Sequence, residues 1–200
     1  MSDAEFRALL LAPPGAGKGT QGERLAQTYR VPHLATGDLL RQEVAAETSL
    51  GLAARDAMDR GDLVSDRLVV DLVLSRISGP EAPPGFVLDG FPRTLTQAQN
   101  AYDWAQVNDR TFHAVISLEV PVDELVRRLL DRGRRSGRTD DSEATIRHRL
   151  VVYAENTQPL LDFYATREIL LELNGTGSVD QVTARILTAL AARDLSPTTG

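Results

Sequence analysis

The sequence predicts an α/β fold: a five-stranded parallel sheet wrapped by helices in a three-layer arrangement. Two observations carry that prediction. Short, continuously apolar runs alternate with segments of helical periodicity along the 200 residues, and strands joined through helices by right-handed crossovers form a parallel sheet covered on both faces. The first apolar run also opens directly onto a glycine-rich turn holding Lys18, the one lysine among 22 basic side chains.

Strand one is expected over 6–12, where Ala8-Leu9-Leu10-Leu11 has the unbroken apolar character of a strand buried on both faces. A helix follows over 19–29, and a short strand over 33–36 ends at Thr36-Gly37-Asp38. Helical pieces at 39–46 and 50–59 then occupy a stretch too long for a simple crossover. A helix over 66–77 and a loop over 80–85 lead to strand three at 86–89, which ends in Asp89-Gly90-Phe91-Pro92-Arg93. Next come a helix over 94–106, a strand over 114–118 and a helix over 122–132. A polar, glycine-punctuated loop at 131–140 separates that helix from one long helix over 142–165. The fifth strand, 169–173, precedes a last helix at 179–192, in which Val182, Ile186, Ala189 and Leu190 form the buried stripe. Ligands of such sheets bind beyond the carboxyl ends of the strands, where the lysine turn, 36–38 and 89–93 all fall.

The bulk numbers narrow the classes. Two hundred residues with 42% apolar content suit a single domain over 1–200. A net charge of −6 argues against nucleic acid as the main partner. The absence of cysteine excludes disulfides, thiolate zinc sites and a Cys nucleophile. The start Met1-Ser2-Asp3-Ala4-Glu5 is unlike a signal peptide, and no apolar run approaches ~20 residues, so no membrane association and a cytoplasmic location are expected. His33, His113 and His148 show no metal spacing and are read as structural.

Chemistry gathers at the strand ends. A turn between a buried strand and a helix points backbone N–H groups, and the positive end of the helix, at an anion. Gly15, Ala16, Gly17, Lys18, Gly19 and Thr20 therefore read as a phosphate-binding loop, with Lys18 reaching the β/γ-phosphates and the Thr20 hydroxyl facing Mg²⁺. Asp89, at the end of strand three, is suited to hold the same ion through water, or else caps a turn. Among 21 arginines, location singles out Arg41, Arg93, Arg128, Arg132, Arg138 and Arg149. Guanidinium forks hold phosphate oxygens by paired hydrogen bonds and stay charged when desolvated.

These segments resemble the adenylate kinases. The matching stretches are Pro-Pro-Gly-Ala-Gly-Lys-Gly-Thr-Gln (13–21), Thr-Gly-Asp-Leu-Leu-Arg (36–41), Leu-Asp-Gly-Phe-Pro-Arg-Thr-Leu-Thr-Gln-Ala (88–98) and the Arg128, Arg132, Arg138, Asp140, Asp141 series. Asn174-Gly175-Thr176-Gly177 follows the last strand in the same order. The resemblance spans essentially the whole chain and fits the short-lid, zinc-free form. Three positions depart from the common pattern: Ala12 for Gly, Gly22 early in the first helix, and Asp62 where some members carry Lys.

The resemblance implies a P-loop nucleoside monophosphate kinase catalysing ATP + AMP ⇌ 2 ADP with Mg²⁺, most simply as a monomer, with an NMP-binding insertion at 35–64 and a short lid at 131–141. Arg41 and Arg93 would grip the acceptor monophosphate, with Arg132 and Arg138 closing on the triphosphate and Arg149 joining them. Arg128 either joins that set or supports it. Asp140 and Asp141 orient the lid arginines, cap the next helix, or do both. Thr36 and Gln97 would face the acceptor base, lined also by Asp62, Leu63 and Val64, with Gly90, Phe91 and Pro92 beside the phosphate. The donor adenine would lie near Gly177 and Arg132. Three rivals remain at this point: a UMP/CMP kinase, which usually differs at the Thr36 and Gln97 positions, a nucleotide hydrolase, and a sensor that binds nucleotides without turnover.

Overall fold

A computed structural model describes residues 5–79, 81–136 and 142–197, so Arg138, Asp140 and Asp141 lie outside the described residues. Five strands, β1 (Arg7–Leu11), β2 (His33–Ala35), β3 (Phe86–Asp89), β4 (Ala114–Glu119) and β5 (Leu170–Asn174), form one sheet in the order β2-β3-β1-β4-β5. Every pairing is parallel, and the register sets Leu10 beside Asp89 and Ala35 beside Asp89. The carboxyl ends of β1, β2 and β3 thus open side by side, and the glycine-rich turn with Lys18 is carried on that edge.

Alternation along β1 builds the three layers. Ala8 and Leu10 face one core, which holds Leu25 and Tyr29 of α1 (Lys18–Tyr29) and Val182, Ile186 and Leu190 of α9 (Val179–Ala191). Leu9 and Leu11 face the other. That side holds Val69, Leu72 and Val73 of α4 (Asp66–Ile77), Ala98 of α5 (Leu95–Val107), and Leu160 and Tyr164 of α8 (Leu160–Ala165). All four side chains of β1 beyond Arg7 are 3% exposed or less, as a central strand covered on both faces requires.

The insertion after β2 is a pair of helices, α2 (Thr36–Ala45) and α3 (Ser49–Arg60). Thr36 is the first residue of α2, not the end of a strand, and Thr48 caps α3 by accepting from the Gly51 amide at 3.0 Å.

Two helix boundaries differ from the sequence expectation. The predicted helix over 142–165 is two helices, α7 (Glu143–Asn156) and α8, broken where Pro159 removes a donor and bars the preceding residue from helical geometry. Helix α6 (Val122–Ser136) runs through the first part of the loop expected from 131. Asp131 pairs one helical turn away in both directions across the extension, with Arg127 at 3.5 Å and Arg134 at 3.4 Å.

Gly22 has a reason in this packing. A Cβ there would stand 2.4 Å from Nε2 of His33, so the Nε2 edge of the ring approaches α1 this closely only because position 22 lacks a side chain. No helix among the described residues is long and apolar enough to cross a membrane.

Candidate functional site

The turn after β1 is shaped by Gly15 and Gly17, whose φ values of 85° and 96° lie in the left-handed region open to glycine. Gly17 is the N-cap of α1 and no side chain caps that end. The first N–H groups of a helix have no intrahelical acceptor, so those of Lys18, Gly19 and Thr20 point at the space beyond the turn. Lys18 folds back over the turn, its Nζ donating to the carbonyls of Ala12 at 2.8 Å and Pro13 at 3.2 Å. Burial pushes its pKa down to about 8, opposed by Asp89 and reinforced by Arg93, Arg149 and Arg132. The ammonium thus sits among three arginines, with the Asp89 carboxylate opposing them.

Asp89 ends β3 at 9% exposure, and its Oδ2 stands 3.9 Å from the position a Cβ on Gly19 would take. One buried carboxylate therefore overlooks the start of α1. Among the described residues no cluster of three acidic or histidine side chains could cage a metal. A lone carboxylate with the nearby Thr20 hydroxyl suits Mg²⁺, which keeps waters and shares its remaining positions with phosphate oxygens.

Two connected cavities occupy the carboxyl edge. The larger, about 1400 Å³ and open to solvent, is lined by Gly15, Gly17, Lys18, Gly19, Thr20, Asp89, Arg128 and Arg132. The smaller, about 570 Å³ with its open mouth included, is lined by Thr36, Leu40, Met58, Asp62, Leu63, Val64, Val69 and Gln97. Both are also lined by Arg41, Gly90, Arg93 and Arg149, so three arginines stand where the cavities meet. Those three arginines are the cationic side chains that line the smaller cavity.

Arg93 is fixed on three sides. Its N–H donates to Gln97 Oε1 at 2.7 Å, its carbonyl accepts from Thr157 Oγ1 at 2.9 Å, and its Nε donates to the Gly90 carbonyl at 2.8 Å. Arg41 is held to Asp38, with Nε 3.2 Å from Oδ1. Arg128 is a strut: it binds Glu124 at 2.8 Å and reaches the Gly175 carbonyl at 3.4 Å, tying α6 to the loop after β5. In the smaller cavity the Thr36 hydroxyl is buried with no partner, and Gln97 is 1% exposed. A buried hydroxyl without a bond carries the full cost of its desolvation.

Not every expected position reaches these walls. Ala16 and Phe91 are buried at 2% exposure and back the turns, although Pro92 lines the larger cavity. Gly177 lines neither cavity, and a Cβ on it would meet Gln181 of α9. Two residues that the sequence does not single out belong to the site. Thr157 sits in the break between α7 and α8, and Pro159 was its only signal. Asp66 accepts from Gln97 Nε2 at 2.7 Å, with no motif to mark it.

Comparison with known proteins agrees with this geometry. A family described as adenylate kinase matches residues 10–169. The chain belongs to the adenylate kinase family. It is 46% identical over 185 residues to an adenylate kinase of Xylella fastidiosa strain 9a5c, covering 92% of this chain and 99% of the relative. The adenylate kinase of Trichodesmium erythraeum is 47% identical over 186 residues, 90% of this chain and 95% of its own length. That of Stenotrophomonas maltophilia is 44% identical over 188 residues, 94% of this chain and all of its own. As an adenylate kinase, the chain transfers a phosphoryl group between adenine nucleotides, ATP + AMP ⇌ 2 ADP.

Proposed function

We propose that the larger cavity takes ATP and the smaller takes AMP, with the transferring phosphoryl group at the junction set by Arg41, Arg93 and Arg149. The observation carrying this reading is that junction: three guanidinium groups shared by two cavities, one of which holds the phosphate turn and Lys18. An in-line transfer between two polyanions needs both nucleotides held end to end and the equatorial charge neutralised.

In this reading the turn N–H groups and Lys18 bind the β- and γ-phosphates. Arg41 and Arg93 grip the acceptor phosphate. Arg132 and Arg149, with Arg138 beyond the described residues, spread positive charge over the transferring group. Asp89 and Thr20 hold Mg²⁺, which supplies charge neutralisation at the phosphate oxygens when bound. Thr36 and Gln97 read the acceptor adenine, walled by Leu63 and Val64. The donor base lies towards Gly177 and Arg132. No side chain is needed as a general base, because positioning and electrostatics carry the reaction.

The parts 35–64 and 131–141 act as the acceptor insertion and the lid of one domain, closing to exclude water, which would otherwise compete as acceptor. The protein works as a cytoplasmic monomer. The test is phosphoryl transfer from MgATP to AMP, UMP, CMP, GMP and water, resolved by nucleotide chromatography. Rapid ADP formation with AMP alone is the expected result. Preference for UMP or CMP would overturn the assignment of Thr36 and Gln97, and binding without turnover would overturn the catalytic one.

A further inference from the structure

We propose that Asp66 sets which way round Gln97 presents its carboxamide to the acceptor base, making it a positioning residue for selectivity between 6-amino and 6-oxo purine monophosphates. The proposal rests on the reading of Gln97 as a base contact.

Asp66 is the first residue of α4 and does not line either cavity. It stands behind Gln97: its Oδ1 accepts from Gln97 Nε2 at 2.7 Å, and both its oxygens lie 3.3 Å from Thr94 Oγ1. Thr94 in turn caps α5 by accepting from the Gln97 amide at 3.2 Å. On the other side, the backbone N–H of Arg93 donates to Gln97 Oε1 at 2.7 Å. A backbone N–H can only donate and a carboxylate can only accept. The carboxamide therefore has one orientation that satisfies both, and the reversed one sets N–H against N–H and C=O against carboxylate. The bond to Asp66 is charge-assisted, the stronger of the two classes.

What remains of Gln97 for a ligand is one N–H and one lone pair, in a fixed order along the pocket wall. Adenine offers an acceptor at N1 and a donor at its 6-amino group. A 6-oxo purine offers the reverse, a donor at N1 and an acceptor at O6. An amide able to turn over serves either base; one locked from behind serves one. A site built to pair with specific polar groups rejects the mismatched analogue because buried groups are left unpaired.

The experiment measures kcat/KM for AMP and for inosine 5′-monophosphate, with MgATP, on wild type, Asp66→Ala, Asp66→Asn and Gln97→Ala. Asp66→Ala is expected to lower the AMP-over-IMP ratio about tenfold, through KM more than kcat, the scale of one misplaced buried hydrogen bond. Asp66→Asn, which still accepts from Nε2, is expected to keep most of the ratio. A ratio of two substrates on one preparation is independent of the folded fraction, so partial unfolding cannot imitate the effect. If Gln97→Ala raises KM for AMP while Asp66→Ala leaves the ratio unchanged, the role of Asp66 is overturned and the base contact stands. If Gln97→Ala leaves KM for AMP unchanged, both are overturned.

Discussion

Nε2 of His148, on α7, lies 2.7 Å from Oδ1 of Asp62, in the turn that follows α3. The pair joins the insertion after β2 to a helix that also supplies Arg149. Arg60 adds a second contact to the same carboxylate, 2.9 Å from its Nε to Oδ2. Together these hold the Asp62 carboxyl below the usual carboxylate range, the hydrogen bond from His148 contributing most. A carboxylate whose pKa falls on folding stabilises the protein above its unfolded pKa and loses that contribution as pH drops through the folded value. The melting temperature of Asp62→Asn is therefore expected below that of wild type at neutral pH, the two converging as the pH falls below the ordinary carboxylate range. The difference is small, since both side chains are solvent-exposed. Curves that stay parallel down to that pH would refute the link.

Lys18 works in the opposite sense. Burial lowers its pKa to about 8, so the empty protein carries a charge it would rather lose. That cost is present below the lowered pKa and disappears as pH rises through the ordinary lysine range. Lys18→Met should consequently melt at a higher temperature than wild type near neutrality without nucleotide, while transferring phosphate ~10³-fold more slowly or worse. Thermal denaturation and a steady-state assay on one preparation test both halves.

Triphosphate binding should return the proton. At a pH near the lowered pKa, roughly half a proton is expected to be taken up per ATP bound. Titration calorimetry in buffers of differing ionisation enthalpy measures it, and the uptake should vanish in Lys18→Met.

Gly22→Ala replaces a poor helix former with the best one, a gain of about 1 kcal/mol in an open helix. Here the added methyl would meet the half-buried ring of His33, and a net destabilisation of about 1–3 kcal/mol is expected instead. Denaturant unfolding of the single variant and of Gly22→Ala with His33→Ala separates the effects. Recovery in the double variant identifies the ring as the obstacle.

Thr157→Val keeps the shape and removes the bond to the Arg93 carbonyl. KM for AMP is expected to rise by roughly two- to tenfold with little change in the ATP parameters, the effect of one lost buried hydrogen bond. Equal loss for both nucleotides would assign Thr157 to stability alone.

The sequence made much of this legible, because its strongest signals are local. Ala8-Leu9-Leu10-Leu11 reads as a strand buried on both faces, and β1 is one. The glycine-rich run around Lys18 reads as a tight turn between strand and helix, and the left-handed Gly15 and Gly17 build that turn. Less legible were features that depend on partners distant in the chain. Helix α6 continues past 131 through ion pairs on its own surface, where glycine and charge suggested a loop. The long helix breaks at Pro159, placing Thr157 against Arg93, 64 residues earlier. Gly22 looks like a weak helix residue until the ring of His33 is seen beside it. Asp66 looks like an ordinary first-turn acid, and only its 31-residue reach to Gln97 gives it a role.

Lys18 is also the only side-chain amine in the sequence. Acylating reagents act on the unprotonated form, and the lowered pKa makes that form accessible just above neutrality. A lysine-directed label thus has one side chain to find in this protein, in the glycine-rich turn after β1. Bound triphosphate would cover it and hold it protonated, so the extent of labelling becomes a gauge of how many molecules carry a donor nucleotide.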